Sequence, residues 1–168
     1  GHYLDCGWHL SPHRLFDPEY YRTANELPPE ADAMAPLLHY LQTTGVEAFS
    51  PHPLFDAVYY VHSRKDLSES EATFNPLQHY VQRSAVERQD PHPLFFTSYY
   101  IARYSHEIGP KQTPLEHFIM RGYTGIYSPN PLFDCAYYLR HQPALKHTLT
   151  NPLVHYIQSG RCGLTPAK

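Results

Sequence analysis

With 168 residues and 13 Lys and Arg set against 16 Asp and Glu, the chain carries a net charge of −3 and offers no basic footprint for nucleic acid or anionic lipid. Its three cysteines, Cys6, Cys135 and Cys162, fall at unrelated positions without a CxxC pair, which argues against both a disulfide framework and a zinc site. No apolar run approaches the roughly 20 residues that cross a bilayer, so no transmembrane segment is expected. Full protonation of the 13 histidines would move the charge from −3 to +10, so solubility and self-association should respond to pH near 6.

Along the chain, one pattern returns four times. Residues 1–10 read as the tail of a preceding copy, because His2-Tyr3-Leu4 followed by Gly7 matches His155-Tyr156-Ile157 followed by Gly160. A tag remnant at Gly1-His2 is the competing reading. Copy 1 (11–49) carries Leu15-Phe16-Asp17 with Tyr20-Tyr21, then Pro36-Leu37-Leu38-His39-Tyr40. Copy 2 (50–89) carries Leu54-Phe55-Asp56 with Tyr59-Tyr60, then Pro76-Leu77-Gln78-His79-Tyr80. Copy 3 (90–127) carries Leu94-Phe95-Phe96 with Tyr99-Tyr100, then Pro114-Leu115-Glu116-His117-Phe118. Copy 4 (128–163) carries Leu132-Phe133-Asp134 with Tyr137-Tyr138, then Pro152-Leu153-Val154-His155-Tyr156, and 164–168 reads as the start of a further connector. The leading Phe residues stand 39, 40 and 38 positions apart, a period typical of stacked repeats.

Within a copy, Asp17-Pro18-Glu19 predicts an N-cap carboxylate, a proline at the first helical position and an acidic first turn. Phe16 with Tyr21, Phe55 with Tyr60 and Phe133 with Tyr138 have the spacing of a hydrophobic staple across that helix start. Copy 3 places Phe96 where the cap belongs, which predicts a start shifted to Thr97 or weakened by about 1 kcal/mol unless something replaces the cap. A second helix opens at Asn75-Pro76, Thr113-Pro114 and Asn151-Pro152, while Ala35-Pro36 lacks the capping oxygen. Gly45, Gly122 and Gly160 are expected to close it in a left-handed turn, with Ser84 or Ala85 as the exception. On its helical wheel Leu77, Tyr80 and Val81 share one stripe and His79 points almost oppositely. Alternate prolines in Ser50-Pro51-His52-Pro53 and its counterparts predict extended connectors. The variable loops, 25–35 in copy 1 and Ser68-Glu69-Ser70-Glu71 in copy 2, are expected along one edge as a candidate binding surface. These elements together predict an all-α, solenoid-like array of four helical hairpins with a period of about 39 residues and proline-rich connectors.

The candidate chemistry lies in the recurring side chains. His39, His79, His117 and His155 would face water in an isolated hairpin and the next copy in a stack, bonding to a neighbour's backbone or to a capping Asp. One His per copy closes no metal site, because equivalent residues stand about 8–10 Å apart whereas zinc needs nitrogens about 2 Å from one ion. The connector series His13, His52 and His92 is broken by Asn130. In each pair Tyr20-Tyr21, Tyr59-Tyr60, Tyr99-Tyr100 and Tyr137-Tyr138, one ring is expected to pack inward and the other to lie nearer the surface, where a track of tyrosines could stack on sugar rings or a peptide. Phe16, Asp17, Phe55, Asp56, Phe95, Phe133 and Asp134 read as structural signature residues alongside the four histidines. No nucleophile elbow, metalloprotease helix or phosphate-cradling glycine loop is present, so neither catalytic residues nor a cofactor is expected.

The pattern Pro-x-Pro-Leu-Phe-Asp-x-x-Tyr-Tyr followed by Asn-Pro-Leu-x-His-Tyr-x-x-x-Gly, clearest over Pro131–Tyr138 with Asn151–Gly160, resembles a repeat region of large bacterial glycosyltransferases and cell-surface polysaccharide biosynthesis proteins. The resemblance implies a cytoplasmic setting or the inner face of the membrane, with an exported parent as the alternative. The Asp-x-Asp nucleotide-sugar motif and the spaced glutamate pair of such transferases are missing, so any glycosyl transfer would belong to other parts of a parent protein. The expected function is a noncatalytic scaffold or binding region whose partners are surface polysaccharide or neighbouring domains, with self-association a further mode. A pure spacer or oligomerisation module is the second reading, and a small His-based metal-dependent enzyme the third.

Overall fold

The structure is a computed structural model that describes residues 13–25, 36–42, 49–64 and 75–160. The expectations at Cys6, Cys162, Ala35, Gly45 and the loops 26–35 and 65–74 lie outside the described residues. Among the described residues there are eight α-helices and no β-strand. They are α1 (Pro18–Ala24), α2 (Pro36–Gln42), α3 (Ala57–His62), α4 (Pro76–Glu87), α5 (Thr97–Tyr104), α6 (Pro114–Arg121), α7 (Cys135–His141) and α8 (Pro152–Gln158). The chain divides into two compact units, 1–83 and 84–168, with the division inside α4. The first unit holds copy 1 and copy 2 as far as Arg83, and the second holds the end of α4 with copies 3 and 4.

In copies 1, 3 and 4 the first helix packs on the second, α1 on α2, α5 on α6 and α7 on α8, and in copy 2 Tyr60 of α3 meets Tyr80 of α4. These helices are six to twelve residues long and would be marginal alone, so side-chain packing must hold them. That packing is an aromatic triad. Phe16 lies 5.3 Å from Tyr21 and 5.5 Å from Tyr40, and Tyr21 meets Tyr40 edge-on at 5.5 Å. Phe55, Tyr60 and Tyr80 repeat it, as do Phe95, Tyr100 and Phe118, and Phe133, Tyr138 and Tyr156, with centroids 5.1–6.0 Å apart throughout. The Phe–Tyr contact is the staple that the spacing predicted, and the tilted and edge-on geometries are those aromatic quadrupoles favour.

The caps follow the sequence with one substitution. Asp17, Asp56 and Asp134 accept backbone N–H bonds from the first turns of α1, α3 and α7 at 2.9–3.1 Å. Helix α5 begins at Thr97, and Phe96 provides no side-chain cap. Its start is held instead from the connector, where Asp90 accepts the Thr97 N–H at 2.7 Å and the Thr97 hydroxyl donates to the Gln89 carbonyl at 2.9 Å. Ser50 and Ser128 occupy the Asp90 place in copies 2 and 4 and accept more weakly from Ala57 N–H and Cys135 N–H, at 3.2 and 3.4 Å. The second helices open on Asn75, Asn151 and a full Thr113/Glu116 capping box.

Four expectations need correction. Gly122 is right-handed, with φ −58°, and the left-handed residue is Gly125, φ +78°. Gly122 is glycine for space: a Cβ there would stand 2.4 Å from Asn151 Nδ2 and 2.9 Å from the Phe118 ring. Gly160 does take the left-handed conformation, and copy 2 lacks such a glycine at Ser84 because α4 runs on to Glu87, with Arg88 at φ +50°. Val81 is 39% exposed, because the buried edge of α4 centres on Tyr80 and Leu77 and Val81 lies 100° round from Tyr80, on the far side of Leu77. The connectors are not extended throughout. Their second half folds into a turn closed by Phe16 N–H to His13 C=O, Phe55 to His52, Phe95 to His92 and Phe133 to Asn130, at 2.9–3.4 Å. Pro53, Pro93 and Pro131 occupy the second turn position, where a fixed φ suits the bend.

Within each unit the copies are joined by backbone bonds. Asp17 N–H donates to Pro51 C=O at 2.8 Å in the first unit, and Phe96 N–H donates to Pro129 C=O at 3.0 Å in the second.

Candidate functional site

The tyrosine pairs divide by position. The second member is core: Tyr21, Tyr60 and Tyr100 are 0% exposed and Tyr138 is 6% exposed. Buried to this extent, these rings are withdrawn as stacking surfaces for a ligand. Their hydroxyls explain the recurring histidine. Tyr21 lies 2.8 Å from His39 Nδ1, Tyr60 2.9 Å from His79, Tyr100 2.7 Å from His117 and Tyr138 2.8 Å from His155. A neighbour's backbone or a capping Asp was the expected partner of these histidines, and their Nδ1 meets instead the Tyr of their own copy. A buried phenol needs a polar partner, and the first turn of the second helix is where its hydroxyl arrives.

The environment of that bond differs between copies. His39 packs against the Phe49 ring at 5.6 Å, His117 meets the Tyr127 ring edge at 4.8 Å, and Arg64 Nη1 lies 3.5 Å from His79 Nδ1. Burial lowers the affinity of His117 for its proton, Glu107 opposing the shift and Arg121 adding to it. Burial also pushes the Tyr40 and Tyr100 hydroxyls and the Cys135 thiol well above their ordinary values. These groups stay protonated at any physiological pH. Cys135, 0% exposed, is a packing residue of α7.

The connector histidines have a role that the sequence reading did not reach. Leu15 N–H donates to His13 Nδ1 at 3.3 Å, Leu54 to His52 and Leu94 to His92 at 3.0 Å, and Leu132 to Asn130 Oδ1 at 2.8 Å. Asn130 therefore does not break the series; it supplies the same acceptor two residues before the same N–H, the geometry of an Asx turn. An imidazole in this role is neutral, with its proton on Nε2. The shared property of His and Asn, an acceptor one carbon beyond Cβ, is the signal that could have shown it.

The first members face outward. Tyr20, Tyr59 and Tyr99 are half-buried and Tyr137 is 37% exposed. Each follows the cap by three residues, so it sits beside Asp17, Asp56 or Asp134, or in copy 3 beside Phe96. Tyr20 holds its proton more tightly than usual, first through partial burial and then through the charges of Asp56 and Asp17. In the second unit, cations flank both rings: the Arg103 guanidinium stands 5.4 Å from the Tyr99 centroid and that of Arg140 5.8 Å from Tyr137. His141 lies against Tyr137 at 4.2 Å with planes 33° apart. These are cation–π contacts on partly wet platforms.

Among the described residues, no three His, Cys, Asp or Glu side chains gather as a metal site, and no helix is long and apolar enough to cross a membrane. The chain matches no family model, no curated protein and no solved structure.

Proposed function

We propose that this chain is a noncatalytic helical-repeat region, a solenoid-like array of four hairpins that serves as scaffold or binding arm in a larger, glycosyltransferase-type bacterial protein of cell-surface polysaccharide synthesis, working in the cytoplasm or at the inner face of the membrane. The observation that carries this reading is the division of labour within the tyrosine pairs. The groups that could do chemistry, the second Tyr and the helix His, are paired with each other in four cores. The first Tyr of each pair is left as a half-open ring, beside the capping carboxylate in copies 1, 2 and 4 and beside an arginine in copies 3 and 4. Such rings suit the apolar faces of sugars, with the charged neighbours bonding hydroxyls.

Titration calorimetry of the chain against the surface polysaccharide of its source organism, with an unrelated polysaccharide as control, tests this. Saturable, selective binding that is lost in folded Tyr137→Ala and Tyr99→Ala variants supports the binding arm. Binding untouched by those substitutions removes the tyrosines, and no binding by the folded chain leaves the spacer reading.

A further inference from the structure

The outward tyrosines of the second unit differ from those of the first in what stands beside them. Residues 84–168 hold eight Lys and Arg to five Asp and Glu, whereas residues 1–83 hold five to eleven. The contrast reaches the rings themselves. Side chains three and four places apart share a face of a helix. After Tyr99 those places include Arg103, and after Tyr137 they are Arg140 and His141. After Tyr20 they are Thr23 and Ala24, and after Tyr59 His62 and Ser63, with no Lys or Arg among them. Copy 3 also sets Phe96 where the other copies set a capping carboxylate.

Neither guanidinium is spent on a carboxylate. Arg103 and Arg140 are exposed, and among the described residues neither is in an ion pair. Arg103 stands 5.4 Å from the Tyr99 centroid and 6.0 Å from that of Tyr104, and Arg140 stands 5.8 Å from that of Tyr137. The carboxylates at the starts of these two helices serve the backbone instead: Asp90 accepts from Thr97 N–H at 2.7 Å and Asp134 from Tyr137 N–H at 2.9 Å. His141 Nδ1 donates to the Tyr137 C=O at 2.9 Å, which leaves Nε2 of the neutral imidazole as an acceptor at the edge of the same ring.

We infer that Tyr99 with Arg103, and Tyr137 with Arg140 and His141, bind the acidic residues of a polysaccharide, pyranose rings that each carry a carboxylate. The inference rests on the binding-arm reading above and names its ligand class. The apolar face of the pyranose lies on the phenol, the planar carboxylate takes paired N–H groups of the guanidinium, and His141 Nε2 accepts from a sugar hydroxyl. A neutral sugar supplies the flat face without the charge, and an acidic peptide supplies the charge without the flat face. The surplus of cations in residues 84–168 adds attraction for a polyanion, which salt would weaken.

Titration calorimetry of the whole chain at low salt tests this with three probes: oligogalacturonate, the same oligomer after reduction of its carboxyl groups to alcohols, and polyglutamate of equal charge. The expected result is saturable binding of oligogalacturonate, about tenfold or more tighter than of either control. Arg103→Gln and Arg140→Gln together should weaken it about tenfold or more while leaving the helical circular dichroism unchanged. Lys111→Gln, which removes the same charge at another exposed position of the second unit, should leave it intact. No binding of oligogalacturonate, equal binding of the reduced oligomer or of polyglutamate, or a loss in Lys111→Gln as large as in the arginine variant, overturns the inference. Selective binding of the source organism's polysaccharide alongside any of those results keeps the binding arm and removes only its acidic ligand, so the two readings fail separately.

Discussion

The two units solve one joining problem with different side chains. In the first, Asn25 makes a pair of bonds to the next connector, Nδ2 to Ser50 C=O at 3.0 Å and Oδ1 from Ser50 N–H at 2.9 Å. In the second, Tyr104 holds the equivalent place and its hydroxyl accepts from Ser128 N–H at 3.2 Å. Its ring meanwhile packs on Tyr100 and Tyr127, the latter hydroxyl donating to Glu107. The second helices trade roles in the same way. The Tyr40 hydroxyl donates to Asn75 Oδ1 at 3.1 Å, whereas Phe118 has no hydroxyl and its carbonyl accepts instead from Asn151 Nδ2 at 3.0 Å. What both units keep is the backbone bond from the cap N–H to the first connector proline. The spacing between copies is therefore a property of the backbone, and the side chains around it are interchangeable so long as each polar group finds a partner.

That comparison can be broken in order of expected effect. Asn25→Ala strips partners from both the N–H and the C=O of Ser50 and should cost about 2–3 kcal/mol, read as a lower urea midpoint with faster hydrogen exchange in 1–83. Gly122→Ala should cost about 2 kcal/mol by overpacking, since its Cβ would collide with Asn151 Nδ2 and sever the bond to Phe118; an unchanged melting temperature would show that Asn151 can move aside. Tyr104→Phe keeps the ring packing and loses the bond to Ser128, so about 1 kcal/mol is expected, clearly less than for Asn25→Ala. Tyr40→Phe, which installs the Phe118 chemistry in the first unit, should cost about 1 kcal/mol or less.

A pH experiment sharpens the comparison further. Burial depresses the proton affinity of His117, so its neutral form is the one the fold prefers. Its contribution is complete above the unfolded value near 6.5 and declines as the pH falls below it, because the unfolded chain takes up that proton first. Urea midpoints followed from pH 7.5 downward should fall less steeply in His117→Gln than in the parent chain, and parallel curves would remove His117 from the acid sensitivity.

The repeat, its helix starts and its staples were legible because each depends on residues close in sequence: Asp17 caps its own turn, and Phe16 reaches only as far as Tyr21. The Tyr–His bond was half legible. Its members recur together, yet they lie 17 to 19 residues apart on different helices, so spacing alone left His39 and His117 facing outward. Asp90 as a substitute cap and Gly122 as a space-saving glycine were not legible, since each answers to atoms brought near by a turn or by another copy.

The sequence by itself thus determined the period, the helical class and the helix starts, because local capping and periodic apolar patterning act before any tertiary contact forms. Only the tertiary structure decided which tyrosine of each pair is buried, what the histidines bond to, and that Gly122 must leave room for Asn151. Those outcomes depend on where a hydroxyl or an imidazole meets a second helix or a neighbouring connector, a distance that chain spacing does not contain.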